Sequence, residues 1–327
     1  MCGIAGIFDL TGRRDFDGDL IGAMNQTQFH RGPDEGGQHL EPGVALAHRR
    51  LSIIDLSSGQ QPMFSEDGNL CVVFNGEIYN FHSLSEQLRE KGYHFRTRCD
   101  TEVILYAWQE WGERCVDHFR GMFAFAVYDR RAESVFLARD RFGIKPLFYS
   151  ILPEGQLVFG SELKVLKAHP DLPRLLNVQA VEDYFAFGYI PEPKTIYRDV
   201  FKLPPGHTLL LRRGEPVPET HEYWDIPFTP VQAGSESEVQ EELLMRMREA
   251  VEVRMEAEVP LGAFLSGGVD SSAVVAMMAG LQDKPVNTCA IGFDVKQFNE
   301  TEFARQVATR YQTNHFERTV SSDDFDL

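Results

Sequence analysis

Up to about residue 165 the chain alternates short β-rich apolar runs with turns. The pattern predicts strands over Gly3–Phe8, Val44–His48, Leu51–Ile54, Leu70–Phe74, Phe123–Tyr128, Val135–Ala138, Leu147–Tyr149 and Leu157–Gly160. Turn pairs such as Asp67-Gly68 separate them. Two segments change to the helical period. One is His82 to Lys91, with Leu84 and Leu88 four apart; the other is Thr101 to Trp111, with Val103, Ile104, Ala107 and Trp111 on one face. Many strands with few helices predict sheets covered by helices, not a regular βαβ repeat.

Residues 190 to 235 are dense in breakers: Pro191, Pro193, Pro204, Pro205, Pro216, Pro218, Pro227 and Pro230. They read as irregular connection plus a domain boundary. Beyond it the pattern changes. Glu238 to Met255 is charged and helical, Val259 to Leu265 is a buried-strand run, and Ala273 to Leu281 is an apolar helix. Val286 to Phe293 is a second strand and Glu302 to Tyr311 a further helix. Strand, helix, strand, helix opens a parallel α/β domain.

Composition adds exclusions. A 327-residue chain predicts two domains, and 43% hydrophobic with 25% charged residues is ordinary globular usage. A net charge of −17 argues against general binding of nucleic acid or anionic membrane. No membrane span is expected, because Leu261 to Leu281 is broken by Ser266, Gly267, Gly268, Asp270, Ser271 and Ser272. The start, MCGIAGIFDL, lacks the regions of a secretory signal, so a cytoplasmic protein is expected. Cys2, Cys71, Cys99, Cys115 and Cys289 are odd in number and scattered, which favours neither disulfides nor zinc. His30, His48 and His94 lack paired metal-ligand spacing.

Cys2 carries chemistry by position. Removal of Met1 would place a thiol and a free α-amine on one residue. The amine, with an ordinary pKa of about 7.7–8.0, can serve as base for the thiol. His30-Arg-Gly-Pro-Asp34 forms a compact charged turn, Arg50 opens the strand Leu51–Ile54, and Asn75-Gly76-Glu77 ends the strand Leu70–Phe74. An Asn amide beside a Gly N–H suits an oxyanion hole. Standing alone, the three segments read first as a surface salt bridge, a solvated Arg and a hairpin turn, ahead of any catalytic part.

Taken in order, MCGIAGIFD, HRGPD, RRLSIID, FNGEIYNF, DTEVIL, GMFAFAVYD, ARDRFGIKPLFY and FGSELK resemble the class II (N-terminal nucleophile) glutamine amidotransferases. With SGGVDSS behind them, the chain resembles the glutamine-hydrolysing asparagine synthetase family. The resemblance implies an α/β/β/α sandwich over residues 2–213, a connection over 214–235, and the first part of a PP-loop ATP pyrophosphatase domain over 236–327. It implies Cys2 as nucleophile forming a glutamyl thioester, and Asn75 and Gly76 as oxyanion donors. Arg50 would take the glutamine α-carboxylate, and Asp100 and Glu77 its α-ammonium. Arg98, close to Asp100 in sequence, is expected to point away. ARDRFGIKP is assigned support of the core and no chemistry; Lys145 and Lys164 are placed near the inter-domain side without a role.

Ser266-Gly-Gly-Val-Asp-Ser-Ser272 lies between a strand and a helix. Its glycines allow close backbone approach, and helix-start N–H groups with Ser hydroxyls attract an anion. No Gly-Lys-Ser/Thr is present, so this is not a Walker A loop. It resembles the PP-loop that grips the pyrophosphate of ATP. By that resemblance Ser266, Gly267, Gly268, Ser271 and Ser272 would hold phosphate, Asp270 would bind Mg²⁺, and Leu265 and Ile291 would frame the adenine.

The leading expectation is an ATP-dependent ligase that adenylates aspartate and attacks it with ammonia from glutamine. Separate domains keep the ammonia from being lost, and a channel supplies proximity. A homodimer is left open. The runs DLTGRR, AVEDYFAFGYIPEPKTIYRDVFKLPPGH and HTLLLRRG also resemble the asparagine-synthetase-like amidotransferases of exosortase and exopolysaccharide loci, which would amidate a different carboxylate. A glutamine-sensing module without catalysis is the third expectation. About 60 residues follow Ser266, so the chain is expected to be a fragment lacking later strands and acceptor loops.

Overall fold

The computed structural model describes residues 1–229, 234–295, 297, 299–321 and 324. Two compact units divide it, Met1–Phe228 and Thr229–Leu327. The first begins with β1 (Gly3–Asp9), α1 (Gly18–Gln26), β2 (Glu35–Glu41), β3 (Val44–Arg50), β4 (Met63–Phe64) and β5 (Leu70–Ile78). There follow α2 (Phe81–Glu90), α3 (Asp100–Trp111), α4 (Cys115–His118), β6 (Gly121–Asp129) and β7 (Ser134–Arg139). It ends with β8 (Phe148–Ile151), β9 (Gln156–Gly160), α5 (Leu163–Lys167), α6 (Val178–Phe187), β10 (Val200–Lys202), β11 (His207–Arg212) and β12 (His221–Glu222).

These strands form two six-stranded antiparallel sheets, ordered β10-β8-β9-β1-β3-β2 and β12-β11-β7-β6-β5-β4. Strand alternation assigns side chains to layers. Ile4, Phe8, Val44, Leu46, Cys71, Val73, Ala124 and Ala126 meet between the sheets. The alternate residues of β1 and β3, Ala5, Ile7, Ala45 and Ala47, pack with Ile21 and Met24 of α1 and Val165 and Leu166 of α5. On the far side Val72, Phe74, Phe123 and Phe125 pack with α2 and α3 through Leu84, Leu88, Val103, Ile104 and Ala107. The result is an α/β/β/α sandwich. Helix α3 is buried from Asp100 through Trp108, not only on the predicted stripe.

Four sequence expectations change here. Leu51–Ile54 is irregular rather than a strand, and Arg50 closes β3 instead of opening the next element. Asn75, Gly76 and Glu77 do not end their strand: β5 runs on to Ile78, with Asn75 opposite Ala124 and Gly76 opposite Phe123. Elements α1, β2, α6 and β11 have no counterpart in the apolar pattern. Finally, the expected connection belongs to the first unit as far as Phe228. Tyr223 N–H donates to Gly206 O (2.9 Å) and Tyr223 Oη to Arg139 O (2.9 Å), so backbone pairing holds it there. Residues 230–233 of that connection, Pro230 included, lie outside the described residues.

The second unit has α7 (Glu236–Glu252), β13 (Gly262–Phe264), α8 (Val269–Leu281), β14 (Asn287–Phe293), α9 (Thr301–Arg310) and β15 (Asn314–Val320). Its sheet is parallel, ordered β13-β14-β15. Leu265, Val275, Ala290, Ala304 and Ala308 make its core. The predicted buried strand Val259–Leu265 shrinks to three residues, and Phe264 within it is 82% exposed.

Candidate active site

Layer parity brings the predicted glutaminase residues together. Cys2 precedes β1 in step with Ile4, His48 and Arg50 follow Leu46, and Asn75 and Glu77 follow Val73, so all take the inter-sheet side. A cavity of ≈ 150 Å³ opens there, lined by Cys2, Arg50, Ile53, Ile54, Gln61, Asn75, Gly76, Glu77, Asp100, Met122 and Lys145 among others. Arg98 is exposed and outside this lining, as expected.

Cys2 is half-buried, and burial pushes its thiol above the ordinary value. Its backbone is pinned from the charged turn: Arg31 Nε donates to Cys2 O (2.8 Å), while Arg31 Nη1 and His30 Nε2 meet Glu162 at 3.0 and 2.9 Å. That turn is therefore a support of Cys2. Arg50 is buried; Nη1 donates to Glu35 (3.1 Å) and Nη2 to the carbonyls of Ile54 (3.2 Å) and Asp55 (2.6 Å). The irregular run after Arg50 thus orients the guanidinium and leaves its remaining donors for a ligand.

The β5 edge is the most informative part. Tyr79 N–H donates to Arg120 O (2.7 Å), so odd-numbered N–H groups face β6. Those of Phe74, Gly76 and Ile78 face the opposite edge, where β4 pairs only as far as Val72. Phe74 N–H is taken by Gln61 Oε1 (2.7 Å) and Ile78 N–H by Asp100 Oδ2 (3.0 Å). Gly76 N–H lies between them, facing the cavity. A Cβ at Gly76 would stand 2.2 Å from Met122 O and 2.7 Å from Phe123 Cα, so only glycine fits. Beside it, both Nδ2 and Oδ1 of Asn75 are buried without a partner. Two adjacent donors without protein partners, at one cavity, are suited to developing negative charge.

Asp100 stands at the start of α3, and burial, with Glu77 adding, pushes its carboxyl up to about 6. A ligand ammonium would restore its charge. Sequence reasoning missed three fixing groups. Gln61 also donates Nε2 to Thr101 Oγ1 (3.3 Å), tying β5 to α3. His48 Nε2 donates to Phe74 O (2.9 Å), a bond between the sheets one residue before Asn75; burial holds this ring neutral, its pKa lowered to about 3. Lys145, which carries no role by sequence, lines the cavity. Only Lys145 stood in a recognised motif; His48 and Gln61 carry no local signal.

The turn before α8 in the second unit carries groups suited to an anion. Gly267 has φ +87°, and a Cβ there would stand 2.5 Å from Phe303 Cβ and 2.6 Å from Ala304 N. Gly268 caps α8, Ser266 Oγ and Ser271 Oγ lie 3.0 Å apart, and Ser272 Oγ is buried without a partner. Leu265 is buried, its N–H donating to Cys289 O (2.8 Å). Ile291, 56% exposed, shares a cleft of ≈ 250 Å³ with Leu265, Ser266, Ala290 and Thr301. Asp270 is exposed in the first turn of α8. Among the described residues no group of three acidic, His or Cys side chains could hold a metal alone, and no helix could cross a membrane.

Residues 1–224 match the glutamine amidotransferase domain family, and residues 242–326 match asparagine synthase. Asparagine synthetase [glutamine-hydrolyzing] 1 of Bacillus subtilis is 36% identical over 99% of this chain and 51% of its own length. Putative asparagine synthetase [glutamine-hydrolyzing] 2 of Methanocaldococcus jannaschii is 35% identical over 100% of this chain and 66% of its own. The chain thus spans about half to two thirds of these relatives. Among solved structures, an allosteric regulatory enzyme of purine biosynthesis shares the fold with TM-score 0.51, at 13% identity, over 98% of this chain and 80% of that one. Joined to the four-layered sandwich and its pocket, these matches mean that the chain belongs to the glutamine amidotransferase domain family, in the two-part arrangement of the glutamine-hydrolysing asparagine synthetases.

Proposed function

We propose that the first unit hydrolyses glutamine at Cys2 and that the second belongs to an ATP-dependent asparagine synthase. The observation that carries the reading is the convergence of Cys2, Arg50, Asn75, Gly76, Glu77 and Asp100 on one cavity. With Met1 removed, the α-amine of Cys2 takes the thiol proton as sulfur attacks the side-chain carbonyl carbon. Asn75 Nδ2 and Gly76 N–H stabilise the oxyanion. The amine returns its proton to the leaving nitrogen, ammonia departs, and water cleaves the glutamyl thioester to glutamate. Arg50 holds the α-carboxylate, and Asp100 with Glu77 the α-ammonium.

In the second unit, Ser266, Gly267, Gly268, Ser271 and Ser272 would hold the pyrophosphate of ATP, and Leu265 and Ile291 would frame the adenine. The unspent Ser272 hydroxyl supports this. Asp270 would share a Mg²⁺ with the phosphates, since Mg²⁺ often takes one carboxylate plus substrate oxygens. The reaction joins ammonia to an adenylated aspartate, releasing AMP and giving asparagine; pyrophosphate leaves at adenylation. The relatives' printed names support aspartate as acceptor.

The test is glutamate release by the purified chain. Cys2→Ala should lose at least about 10⁴-fold of the rate with an unchanged circular-dichroism spectrum. Persistent hydrolysis by that variant, or active enzyme retaining Met1, would overturn the reading.

A further inference from the structure

The ARDRFGIKP turn ends on a lysine that the fold delivers into the glutaminase cavity. We propose that Lys145 is a positioning residue of glutamine hydrolysis, a cation fixed in the pocket to favour the thiolate and the free amine of Cys2. The inference rests on the reading of Cys2 as nucleophile.

The turn is built to hold that residue. Asp140 accepts from the N–H groups of Phe123 (3.1 Å), Phe142 (3.1 Å), Ile144 (3.0 Å) and Lys145 (2.9 Å). Arg139 Nε donates to Lys145 O (2.9 Å), and Asp140 N–H to Phe123 O (2.8 Å). Phe123 is the register partner of Gly76, so the lysine backbone is referenced to the strand that carries the oxyanion donors. The residue is 5% exposed and lines the cavity with Cys2, Asn75, Gly76 and Glu77.

Three cations border the nucleophile, and two are engaged. Arg31 is spent on Cys2 O and Glu162, and Arg50 on Glu35 and two carbonyls. Lys145 Nζ has no hydrogen-bond or ion-pair partner among the described residues. A buried ammonium without a counterion is costly, which marks such groups as functional. Burial lowers its own pKa, with Arg31 acting the same way and Glu77, Cys2 and Asp140 acting against it.

The charges facing Cys2 divide by sign. Burial and Asp100 raise its thiol, whereas the amino terminus and Arg50 lower it. The Met1 amine is lowered by burial, then by Lys145 and Arg31, and raised by Cys2 and Asp34. In the processed chain that amine belongs to Cys2. A fixed cation disfavours the ammonium and favours the thiolate, so it offsets the desolvation of the nucleophile.

Two pH profiles test this: kcat/KM for glutamate release, and the alkylation rate of Cys2 by iodoacetamide read on its peptide by mass spectrometry. Lys145→Met and Lys145→Gln should each move the acid limb of kcat/KM upward by about one pH unit, or roughly tenfold in rate on that limb. Cys2 alkylation should shift the same way, and Lys145→Arg should restore both. Profiles that superimpose on the unsubstituted protein would overturn the inference. A uniform loss at every pH, or a Lys145→Arg variant matching Lys145→Met, would also overturn it. Lys145-dependent alkylation without any glutamate release would instead sink the glutaminase reading and leave the electrostatic one standing.

Discussion

The two units solve the same problem, holding polar groups ready for a ligand, with different rigidity. In the first, the ligand-facing atoms sit on strands packed on both faces. Asn75 and Gly76 lie in β5, which sends Phe74 and Ile78 into the core under α2 and α3 and Cys71 and Val73 into the core between the sheets. Their neighbours Phe74 and Ile78 are clamped by Gln61, His48 and Asp100. In the second, residues 266–268 turn into α8, with Ser266 Oγ beside Ser271 Oγ and Ser271 Oγ donating to Gly268 O, above a three-stranded sheet whose Phe264 is 82% exposed. Preorganised donors need a frame that does not move when charge develops, and among the described residues the first unit shows that frame.

The sharpest way to break this comparison is to cut the same side chain from each sheet. Phe125→Ala removes a fully buried ring at β6 and should cost about 3–5 kcal/mol in the first unit. Phe264→Ala should stay within about 0.5 kcal/mol. Hydrogen exchange resolved on β6 and β14 reads the two separately. Comparable losses at both sites would mean the second unit is as tightly framed as the first.

Next in size is the split between transition-state and ground-state contacts inside the cavity proposed to hydrolyse glutamine. Asn75→Ala should lower kcat by ~10²–10³, about 2.7–4 kcal/mol, with a smaller change in KM. Arg50→Ala should act mainly through KM, because its contact exists before and during attack. Steady-state kinetics on glutamine showing the reverse pattern would exchange the two roles.

A smaller effect tests the clamp. His48 is neutral in the fold, with its pKa lowered to about 3, so the unfolded chain takes up its proton first as pH falls. The stability it contributes is complete above about 6.5 and is lost as pH drops from there toward 3. Between pH 7 and pH 5 the protein should therefore lose about 2 kcal/mol more than His48→Gln, which keeps a donor for Phe74 O. Asp100, raised to about 6, acts with opposite sign between its ordinary value and about 6 in both proteins and cancels in the difference. Equal pH slopes in urea denaturation would show that His48 is not a neutral clamp.

The smallest change concerns the second unit alone. Ser235 and Glu238 form a reciprocal capping box at the start of α7, fully on the surface. Ser235→Ala should cost about 1 kcal/mol, read as faster exchange in the first turn of α7, with glutamine hydrolysis unchanged. A drop in hydrolysis would mean the units are coupled.

Most of the strand plan was legible because β1, β3, β6, β7 and β9 are buried on both faces and so read as short continuous apolar runs. β2 escaped notice because Gly36 and Gly37 dilute its pattern on an edge. Leu51–Ile54 misled for the opposite reason: its apolar residues line a cavity instead of a sheet. Val259–Leu265 read as a buried strand, but hydrophobicity alone does not say whether a face is covered.

By itself the sequence determined the motif order, the cysteine directly after Met1 and, through the resemblance those motifs carry, the family and the four-layered class it implies. Tertiary structure decided which N–H on β5 stays unspent. Backbone direction there depends on register with β6 and on side chains from residues 61 and 100, far away in the chain. It also decided that His48 bridges the sheets and that Lys145 enters the cavity. Both follow from how separate strands meet, and no local pattern encodes that meeting.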